Sequence, residues 1–355
     1  MSAELGIIEG YFGRSWSWTD RAMVLERLAP VGYRFFHYAP KIDAKLRDTW
    51  QILHDDNEAA SLASFAMQCR ALGVRFGIGL TPYGAQLEFD AIAKAAMKAK
   101  LAQFDAWGID DLAILFDDIK GDISDLAQRQ SQIAAFAFAN SKATRFFFCP
   151  SYYSNDILLD RMFGKRPEHY LETLGKLLDP QVSVYWTGEE VCAPEIGCGH
   201  MRDMAQILQR KVALWDNYPV NDGMLMAPYL HLRAFTGRPA NLGNEISHHA
   251  VNPASQAYLS CIPALTLPML YQRGDAYRYS EAFIEASQAV CGLDLADRLR
   301  RDLLVLQHAG LPLMTPEIKT KFVTRYSTLK HPAADEIVDW LQGGYAVDMQ
   351  LPAMV

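Results

Sequence analysis

The chain has 355 residues, half of them hydrophobic, so it can bury a large core and is long for a single domain. Its formal net charge is −7 and no basic cluster is visible along it, which argues against nucleic acid or an anionic membrane surface as the main partner. The same acidic balance disfavours, more weakly, a polyanionic ligand.

Short apolar runs and helical patterns alternate from the amino terminus onward. Strands are predicted near residues 5–9, 34–39, 74–80, 111–116, 145–149, 182–186, 212–216 and 246–251. Helices are predicted between them, near residues 18–30, 58–72, 88–107, 124–141, 168–178 and 200–209. Eight strands with intervening helices predict an α/β fold, a (β/α)8 TIM barrel, which we assign to residues 1–271.

Two regions depart from this alternation. Residues 217–245 are irregular and predict a long loop with a short helix. After Pro268, amphipathic stretches near residues 280–290, 294–309, 316–329 and 333–341 carry no strand signal. We therefore predict a small C-terminal helical appendage over residues 272–355, packed on the barrel because its helices are too short to be stable alone.

The amino terminus and the cysteines bear on the cellular compartment. The first residues, Met-Ser-Ala-Glu-Leu-Gly, lack the segments of a signal peptide, and no apolar stretch reaches the roughly 18 residues of a membrane-spanning helix. Most of the six cysteines lie in apolar runs, which is typical of reduced core thiols. Cys192, Cys198 and His200 could ligate a metal, but five residues between the cysteines is not a usual zinc spacing. We expect a cytoplasmic protein with no metal site and no membrane segment.

Two adjacent carboxylates, Asp117 and Asp118, end the apolar run Leu112–Phe116. The carboxyl ends of the strands carry the chemistry in parallel barrels, and adjacent strand residues point in opposite directions. The two acids could therefore reach different atoms of one substrate, which is the pattern of glycosidic bond cleavage. The alternative is that they cap the helix predicted near Ser124, since Asp is common before helices.

Polar, aromatic, Gly and Pro residues also collect where the other predicted strands stop. Seven ordered motifs are Glu9-Gly-Tyr-Phe-Gly-Arg-Ser-Trp16, Tyr38-Ala-Pro-Lys41, Phe116-Asp-Asp118, Cys149-Pro-Ser-Tyr-Tyr153, Trp186-Thr-Gly188, Trp215-Asp-Asn-Tyr-Pro-Val-Asn-Asp222 and Asn252-Pro253. This set resembles glycoside hydrolase family 84, the retaining β-N-acetylglucosaminidases that include protein O-GlcNAcases and bacterial relatives once called hyaluronidases. The first motif departs from the family pattern, since its two aromatics are exchanged and Ser15 replaces a proline.

The resemblance implies an exo-acting enzyme that removes terminal β-linked GlcNAc from a glycoside or glycoprotein and needs no metal or cofactor. Its nucleophile is the substrate's own acetamide carbonyl, and the intermediate is an oxazoline. Asp117 would hold the acetamide N–H, while Asp118 would protonate the departing oxygen and then deprotonate water. Such an acid needs a raised pKa, which burial and a neighbouring anion supply.

The other matched residues are implied to hold the sugar. They are a backbone carbonyl at Gly10, Lys41 toward the 3-hydroxyl, Tyr153 toward the acetamide oxygen, Asn217 near the acetamide or leaving oxygen, Asp222 and Asn252 toward the other hydroxyls, and Trp215 as an aromatic wall.

Plainer interpretations stay open for most of these residues. They are a solvated loop lysine for Lys41, packing aromatics for Tyr153 and Trp215, and turn formers for Asn217 and Asn252. His37, His248 and His249 are interpreted as core or rim histidines rather than catalytic bases, and Asp55-Asp56 as a helix cap. The functional alternatives are an endo-acting hexosaminidase on a polysaccharide and a non-catalytic GlcNAc-binding barrel. The oligomeric state is left open.

Overall fold

The structure, a computed structural model, describes residues 3–347. Its strands are β1 (Glu4–Glu9), β2 (Tyr33–Tyr38), β3 (Arg75–Leu80), β4 (Asp111–Leu115), β5 (Arg145–Cys149), β6 (Ser183–Trp186), β7 (Ala213–Asp216) and β8 (His248–Val251). They form a closed barrel in chain order, and the neighbours from β1 to β7 run parallel. The predicted (β/α)8 barrel is confirmed.

Helices connect the strands and continue after the last one. They are α1 (Trp18–Leu28), α2 (Asp56–Ala71), α3 (Ala91–Trp107), α4 (Leu126–Ala139), α5 (Ile157–Phe163), α6 (Tyr170–Leu177), α7 (Cys198–Ile207), α8 (Gly223–Met226), α9 (Ala257–Arg273), α10 (Tyr279–Leu304), α11 (Pro316–Ser327) and α12 (Pro332–Leu341). The short helix predicted within residues 217–245 is α8, and the predicted C-terminal helices are α10 to α12. Helices α5 and α9 were not predicted. Helix α9 contains two internal prolines, Pro263 and Pro268. Because proline usually breaks a helix, the sequence pattern did not indicate one here.

Capping chemistry sets several helix ends. The Asp55 carboxylate accepts the N–H groups of Asn57 and Glu58, and the Glu58 carboxylate accepts the Asp55 N–H in return. Helix α3 ends at Gly108, whose φ of +73° is a conformation that glycine adopts at little cost. The predicted cap at Asp55 is confirmed.

Aromatic and imidazole rings fill the barrel interior. The Phe147 ring centroid lies 4.6 Å from that of His37 and 5.4 Å from that of Tyr185. Nε2 of His37 is 3.0 Å from Asp111 Oδ2, and its Nδ1 is 2.6 Å from the Tyr185 hydroxyl. A Cβ on Gly77 would lie 2.5 Å from the His37 ring, so only glycine allows β3 to pass this close. Because both nitrogens of His37 are engaged inside the barrel, its interpretation as a core residue is confirmed.

The other two predicted core histidines are buried as well. His249 contacts the carboxylate of Asp216 at 2.9 Å, and neither side chain is exposed. Burial lowers the pKa of His248 to about 4, so this imidazole is neutral at ordinary pH. The His248 ring lies 5.0 Å from the centroid of the Phe147 ring, so both histidines belong to the core.

The chain divides into two compact units. The barrel unit comprises Met1–Glu9, Tyr33–Asn217 and Gly237–Ala250, and the second unit comprises Gly10–Gly32, Tyr218–Thr236 and Val251–Val355. Helix α9, within the second unit, runs across the predicted boundary at residue 271. The division into domains over residues 1–271 and 272–355 therefore stays a prediction. Residues 348–355 of the predicted appendage lie outside the described residues.

Within the second unit, the start of α9 is capped from another helix. Gln256 is the residue before α9, and its side chain makes no capping bond. The carboxylate of Glu336 on α12 instead accepts the N–H groups of Tyr258 and Leu259, each at 2.9 Å. Glu336 thereby satisfies two of the backbone donors that every helix start leaves without an internal partner.

Three features of the described residues relate to the sequence predictions. Cys69, Cys149, Cys261 and Cys291 are buried free thiols, which confirms core positions for these four. Within residues 3–347 no three His, Cys, Asp or Glu side chains gather as metal ligands. No helix in that range is long and apolar enough to cross a membrane.

Candidate active site

Asp117 and Asp118 follow the end of β4 in the barrel unit. The Phe116 N–H donates to the Cys149 carbonyl at 2.9 Å, so pairing with β5 continues up to the acids. Asp118 has a φ of +58°, in the left-handed region that residues other than glycine rarely occupy. Helix α4 starts only at Leu126, with Asp125 at its N-cap, so the interpretation of the acids as helix caps is wrong.

The two oxygens of the Asp117 carboxylate differ in their contacts. Oδ2 accepts a hydrogen bond from the ammonium of Lys41, which follows β2, and both side chains are buried. Oδ1 is buried too, and it accepts no hydrogen bond from any residue within 3–347. Lys41 Nζ also lies 5.5 Å from the centroid of the Trp215 ring. Lys41 is thus a buried partner of Asp117, and the solvated-lysine alternative is wrong.

Asp118 is also nearly buried. Its Oδ1 accepts a hydrogen bond of 2.8 Å from the hydroxyl of Tyr153, which follows β5. Burial and then the negative charge of Asp117 raise the pKa of the Asp118 carboxyl above its ordinary value. The positive charge of Lys41 opposes that shift without reversing it. This direction matches the sequence expectation for an acid able to give up a proton near neutral pH.

One residue close to the acids was missed by the sequence analysis. Arg47 follows the 3-10 turn Ala44–Leu46, and its guanidinium donates to the backbone carbonyls of Asp117 and Asp118. No strand end or matched motif includes it, since the nearest motif ends at Lys41. A bond from a side chain to a distant backbone leaves no trace in residue spacing.

The end of β7 presents Trp215 and Asn217. The Trp215 indole N–H donates to Asn217 Oδ1 at 3.0 Å, and Asn217 Nδ2 donates to the Val191 carbonyl at 2.8 Å. The Trp215 ring meets the Tyr185 ring at a centroid distance of 5.3 Å. Asn217 therefore has its side chain fixed by tertiary contacts, while Trp215 continues the aromatic packing of the barrel.

Asp216, between those two residues, faces the other way and anchors the strand. Its carboxylate accepts two hydrogen bonds from Arg238, at 2.6 and 2.8 Å, besides the contact with His249. Burial alone would raise the pKa of Asp216, but the charge and hydrogen bonds of Arg238 lower it to about 2. The buried ion pair fixes the strand that carries Trp215 and Asn217.

The remaining three predicted residues lie together in the second unit. The Gly10 N–H donates to Asn252 Oδ1 at 3.3 Å, and the Phe12 N–H donates to Asp222 Oδ2 at 2.8 Å. The Val220 N–H donates to the Asn252 carbonyl at 3.1 Å. Asp222 and Asn252 are both nearly buried. Asn252 is therefore more than a turn former, because its side chain binds the segment that follows β1, and the Asp222 side chain binds the same segment.

The predicted residues thus form two sets. The barrel unit brings together Lys41, Asp117, Asp118, Tyr153, Trp215 and Asn217. The second unit brings together Gly10, Asp222 and Asn252. Lys41 contacts Asp117 and Tyr153 contacts Asp118, and neither contact was predicted. The roles of Lys41 and Tyr153 toward a sugar stay predictions.

Comparison with known proteins gives these residues a context. The profile of the NAGidase family, described as beta-N-acetylglucosaminidase, matches residues 5–304. The chain is 28% identical over 279 residues to the protein O-GlcNAcases of Mus musculus and Rattus norvegicus. That match covers 75% of this chain but 30% of the length of each relative.

Solved structures share the fold. An O-GlcNAc hydrolase variant from Thermobaculum terrenum superposes with a TM-score of 0.78 at 24% identity, over 95% of this chain and 80% of that chain. A structure of CpGH84B superposes with a TM-score of 0.74 at 20% identity, over 95% of this chain and 66% of that one. At these identities the likeness supports the barrel fold alone.

Proposed function

The chain belongs to the beta-N-acetylglucosaminidase family, and from this membership we propose that it removes terminal β-linked GlcNAc from glycosides with retention of configuration. The nucleophile in this proposal is the acetamide carbonyl of the substrate. The chain supplies the groups that assist the acetamide and the leaving oxygen.

The single observation that supports the proposal best is the difference between the two adjacent acids. Asp117 is fixed by Lys41 through Oδ2 and keeps a buried Oδ1 with no hydrogen bond from residues 3–347. Asp118 has a raised pKa, so a proton is retained on its carboxyl to higher pH than usual. A hydrogen-bond acceptor beside a proton donor is the pair that acetamide-assisted cleavage needs.

In the first step, a lone pair of the acetamide oxygen forms a bond to the anomeric carbon as the bond to the aglycone oxygen breaks. The proton of Asp118 passes to that oxygen, and an alcohol leaves. Asp117 Oδ1 accepts the acetamide N–H and stabilises the positive charge that develops on nitrogen. The product on the enzyme is a bicyclic oxazoline that is protonated on nitrogen and paired with the Asp117 carboxylate.

In the second step, water attacks the anomeric carbon from the face that the aglycone left. Asp118, now a carboxylate, takes a proton from this water, and the bond between the anomeric carbon and the acetamide oxygen breaks. Two inversions give net retention, and the proton is back on Asp118. Lys41 keeps the Asp117 carboxylate oriented through both steps, since its ammonium is buried against Oδ2.

The roles of the other residues are proposed on the family resemblance. Tyr153 donates to the acetamide oxygen when substrate is bound, and Trp215 forms the aromatic wall beside the acetyl methyl group. Gly10, Asp222 and Asn252 hold the sugar hydroxyls, for which carboxylate and amide oxygens are suitable acceptors. Asn217 lies near the acetamide or the leaving oxygen.

The test is hydrolysis of nitrophenyl β-glycosides by the purified chain. We expect turnover of the GlcNAc compound, weaker or no turnover of the GalNAc compound, and almost none of the glucose compound, which lacks the nucleophile. Asp122→Asn is the matched control, because Asp122 is an exposed carboxylate further along the same loop. Binding of GlcNAc without turnover would contradict the proposal and favour a non-catalytic barrel.

A second assay separates exo from endo action. A β-1,4-linked GlcNAc oligosaccharide labelled at its reducing end should lose one sugar at a time from the other end. Early appearance of short labelled fragments would contradict exo action and favour an endo-acting hexosaminidase.

A further inference from the structure

Arg47 is a buried cation whose donors face the backbone of the two acids rather than their side chains. Its Nη2 lies 3.1 Å from the Asp118 carbonyl oxygen and its Nη1 lies 3.5 Å from the Asp117 carbonyl oxygen. The residue is 5% exposed, so these bonds form away from water. One planar guanidinium therefore spans two consecutive carbonyls of the Asp117-Asp118 segment, a geometry for which arginine is suited and lysine is not.

The segment needs such support because its backbone is strained. A non-glycine residue in the left-handed region raises the free energy of the folded chain and persists where its surroundings hold it. Asp118 occupies that region with a φ of +58°. Rotation of the peptide between Asp117 and Asp118 would change the φ of Asp118 and turn the Asp117 carbonyl, which this peptide contains, away from Arg47.

Arg47 is itself fixed by its neighbours. Its guanidinium carbon lies 5.8 Å from the centroid of the Tyr83 ring, and its Nε lies 3.7 Å from the carboxylate of Asp48. The Tyr83 carbonyl accepts a hydrogen bond of 3.1 Å from the indole of Trp50. The connections after β2 and β3 thus hold the guanidinium in place.

We infer that Arg47 is a positioning residue, which holds the Asp117-Asp118 turn in its left-handed conformation so that one acid serves the acetamide and the other the leaving oxygen. The catalytic consequence of this inference rests on the proposed function. The effect of Arg47 on the turn does not.

The charge of Arg47 has a separate effect. It lies among the groups that face Asp118, which are Asp117, Lys41, Tyr153 and Cys149. As a cation it opposes the rise that burial and Asp117 impose on the pKa of Asp118. Removing the cation should therefore move the alkaline limb of the pH profile of kcat/KM upward, since that limb reports ionisation of the acid.

Arg47→Met and Arg47→Lys distinguish the two effects. We expect Arg47→Met to lower kcat about 10²-fold with little change in KM. The two carboxyl groups would be poorly oriented toward the reacting atoms, while the substrate would still bind. Its alkaline limb should move to higher pH. Arg47→Lys keeps the charge but cannot span both carbonyls, so we expect a loss of kcat with no movement of the limb.

Arg34→Met is the matched control, since Arg34 is an exposed arginine on β2. It should leave kcat, KM and the pH profile unchanged. Thermal melts of all variants check the fold. Should Arg47→Met fail to fold, Arg47→Lys still tests the positioning of the turn through kcat.

Crystal structures of the two Arg47 variants give a readout that is independent of activity. We expect the Asp117-Asp118 peptide to rotate and Asp118 to leave the left-handed region. An unchanged turn, or full kcat in both variants, would overturn the inference. If the unaltered chain does not hydrolyse GlcNAc glycosides while the turn still relaxes in the variants, the proposed function fails and the effect of Arg47 on the turn stands.

Discussion

If Asp118 is the general acid, as proposed, Asp118→Asn should remove the proton that the leaving oxygen receives while changing little else. The amide has nearly the shape of the carboxyl group, and its oxygen can still accept the hydrogen bond of 2.8 Å from Tyr153. Because the turn and its neighbours are preserved, the loss of rate measures the lost proton transfer. General acid catalysis is typically worth about 10²–10⁴-fold, or about 2.7–5.4 kcal/mol of activation free energy.

The expected loss depends on the leaving group. An alkyl alcohol cannot leave as an anion, so we expect kcat/KM for an alkyl GlcNAc glycoside to fall by the full 10²–10⁴-fold or so. A nitrophenolate leaves without a proton, and its kcat/KM should fall by less than about tenfold on the same argument. The quantity to compare is kcat/KM, because it reports steps up to departure and excludes the later attack of water.

The assay is a series of GlcNAc glycosides with leaving groups of increasing pKa, measured with the unaltered chain, Asp118→Asn and the control Asp122→Asn. A steeper dependence on leaving-group pKa in Asp118→Asn is the expected result. An equal loss for every leaving group would refute the acid role of Asp118.

Three further results are expected. Asp117→Asn should lower kcat/KM for every leaving group by a similar factor, because the carboxylate that stabilises charge on the acetamide nitrogen is lost; a loss confined to poor leaving groups would contradict this role. Asp216→Asn should destabilise the fold by about 3–5 kcal/mol in urea unfolding, because it leaves the buried guanidinium of Arg238 without its counter-charge; a change below about 1 kcal/mol would show that the pair does not anchor β7. Burial raises the pKa of Glu336 to about 8, so the folded chain binds this proton more tightly than the unfolded chain does. The stability that this proton contributes is fully present below the unfolded pKa of about 4.3 and is lost as the pH rises through 8. Between pH 6 and 9, the Tm of the unaltered chain should therefore fall more than the Tm of Glu336→Gln. Equal slopes would contradict the raised pKa.

The barrel could be predicted because its strands are short apolar runs that end in polar residues. The same pattern singled out Asp117 and Asp118 just beyond β4, whereas Tyr153, four residues beyond the end of β5, was assigned to the site through the family resemblance. Helix α9 could not be predicted, because Pro263 and Pro268 interrupt a segment that is buried on nearly all sides and lacks a polar face.

Tertiary contacts within the site were also beyond the sequence. The ion pair of Lys41 with Asp117 joins residues 76 positions apart, and the bond from Arg47 to Asp118 joins residues 71 positions apart. The left-handed backbone of Asp118 carries no signal either, because aspartate, unlike glycine, gives little indication of a positive φ. Residue types at strand ends indicate which chemistry is available, while the folded chain decides which atoms meet.

The central claim is that the substrate's acetamide is the nucleophile, and fluorination of the acetyl group tests it most directly. Each fluorine withdraws electron density from the carbonyl oxygen, so the rate should fall progressively from acetyl to mono-, di- and trifluoroacetyl glycosides with one leaving group. A thiazoline derived from GlcNAc should inhibit strongly, since it resembles the bicyclic intermediate. Rates that do not respond to fluorination, or a sugar ester trapped on a carboxylate such as Glu9 or Asp222, would contradict the claim and assign the nucleophile to the enzyme.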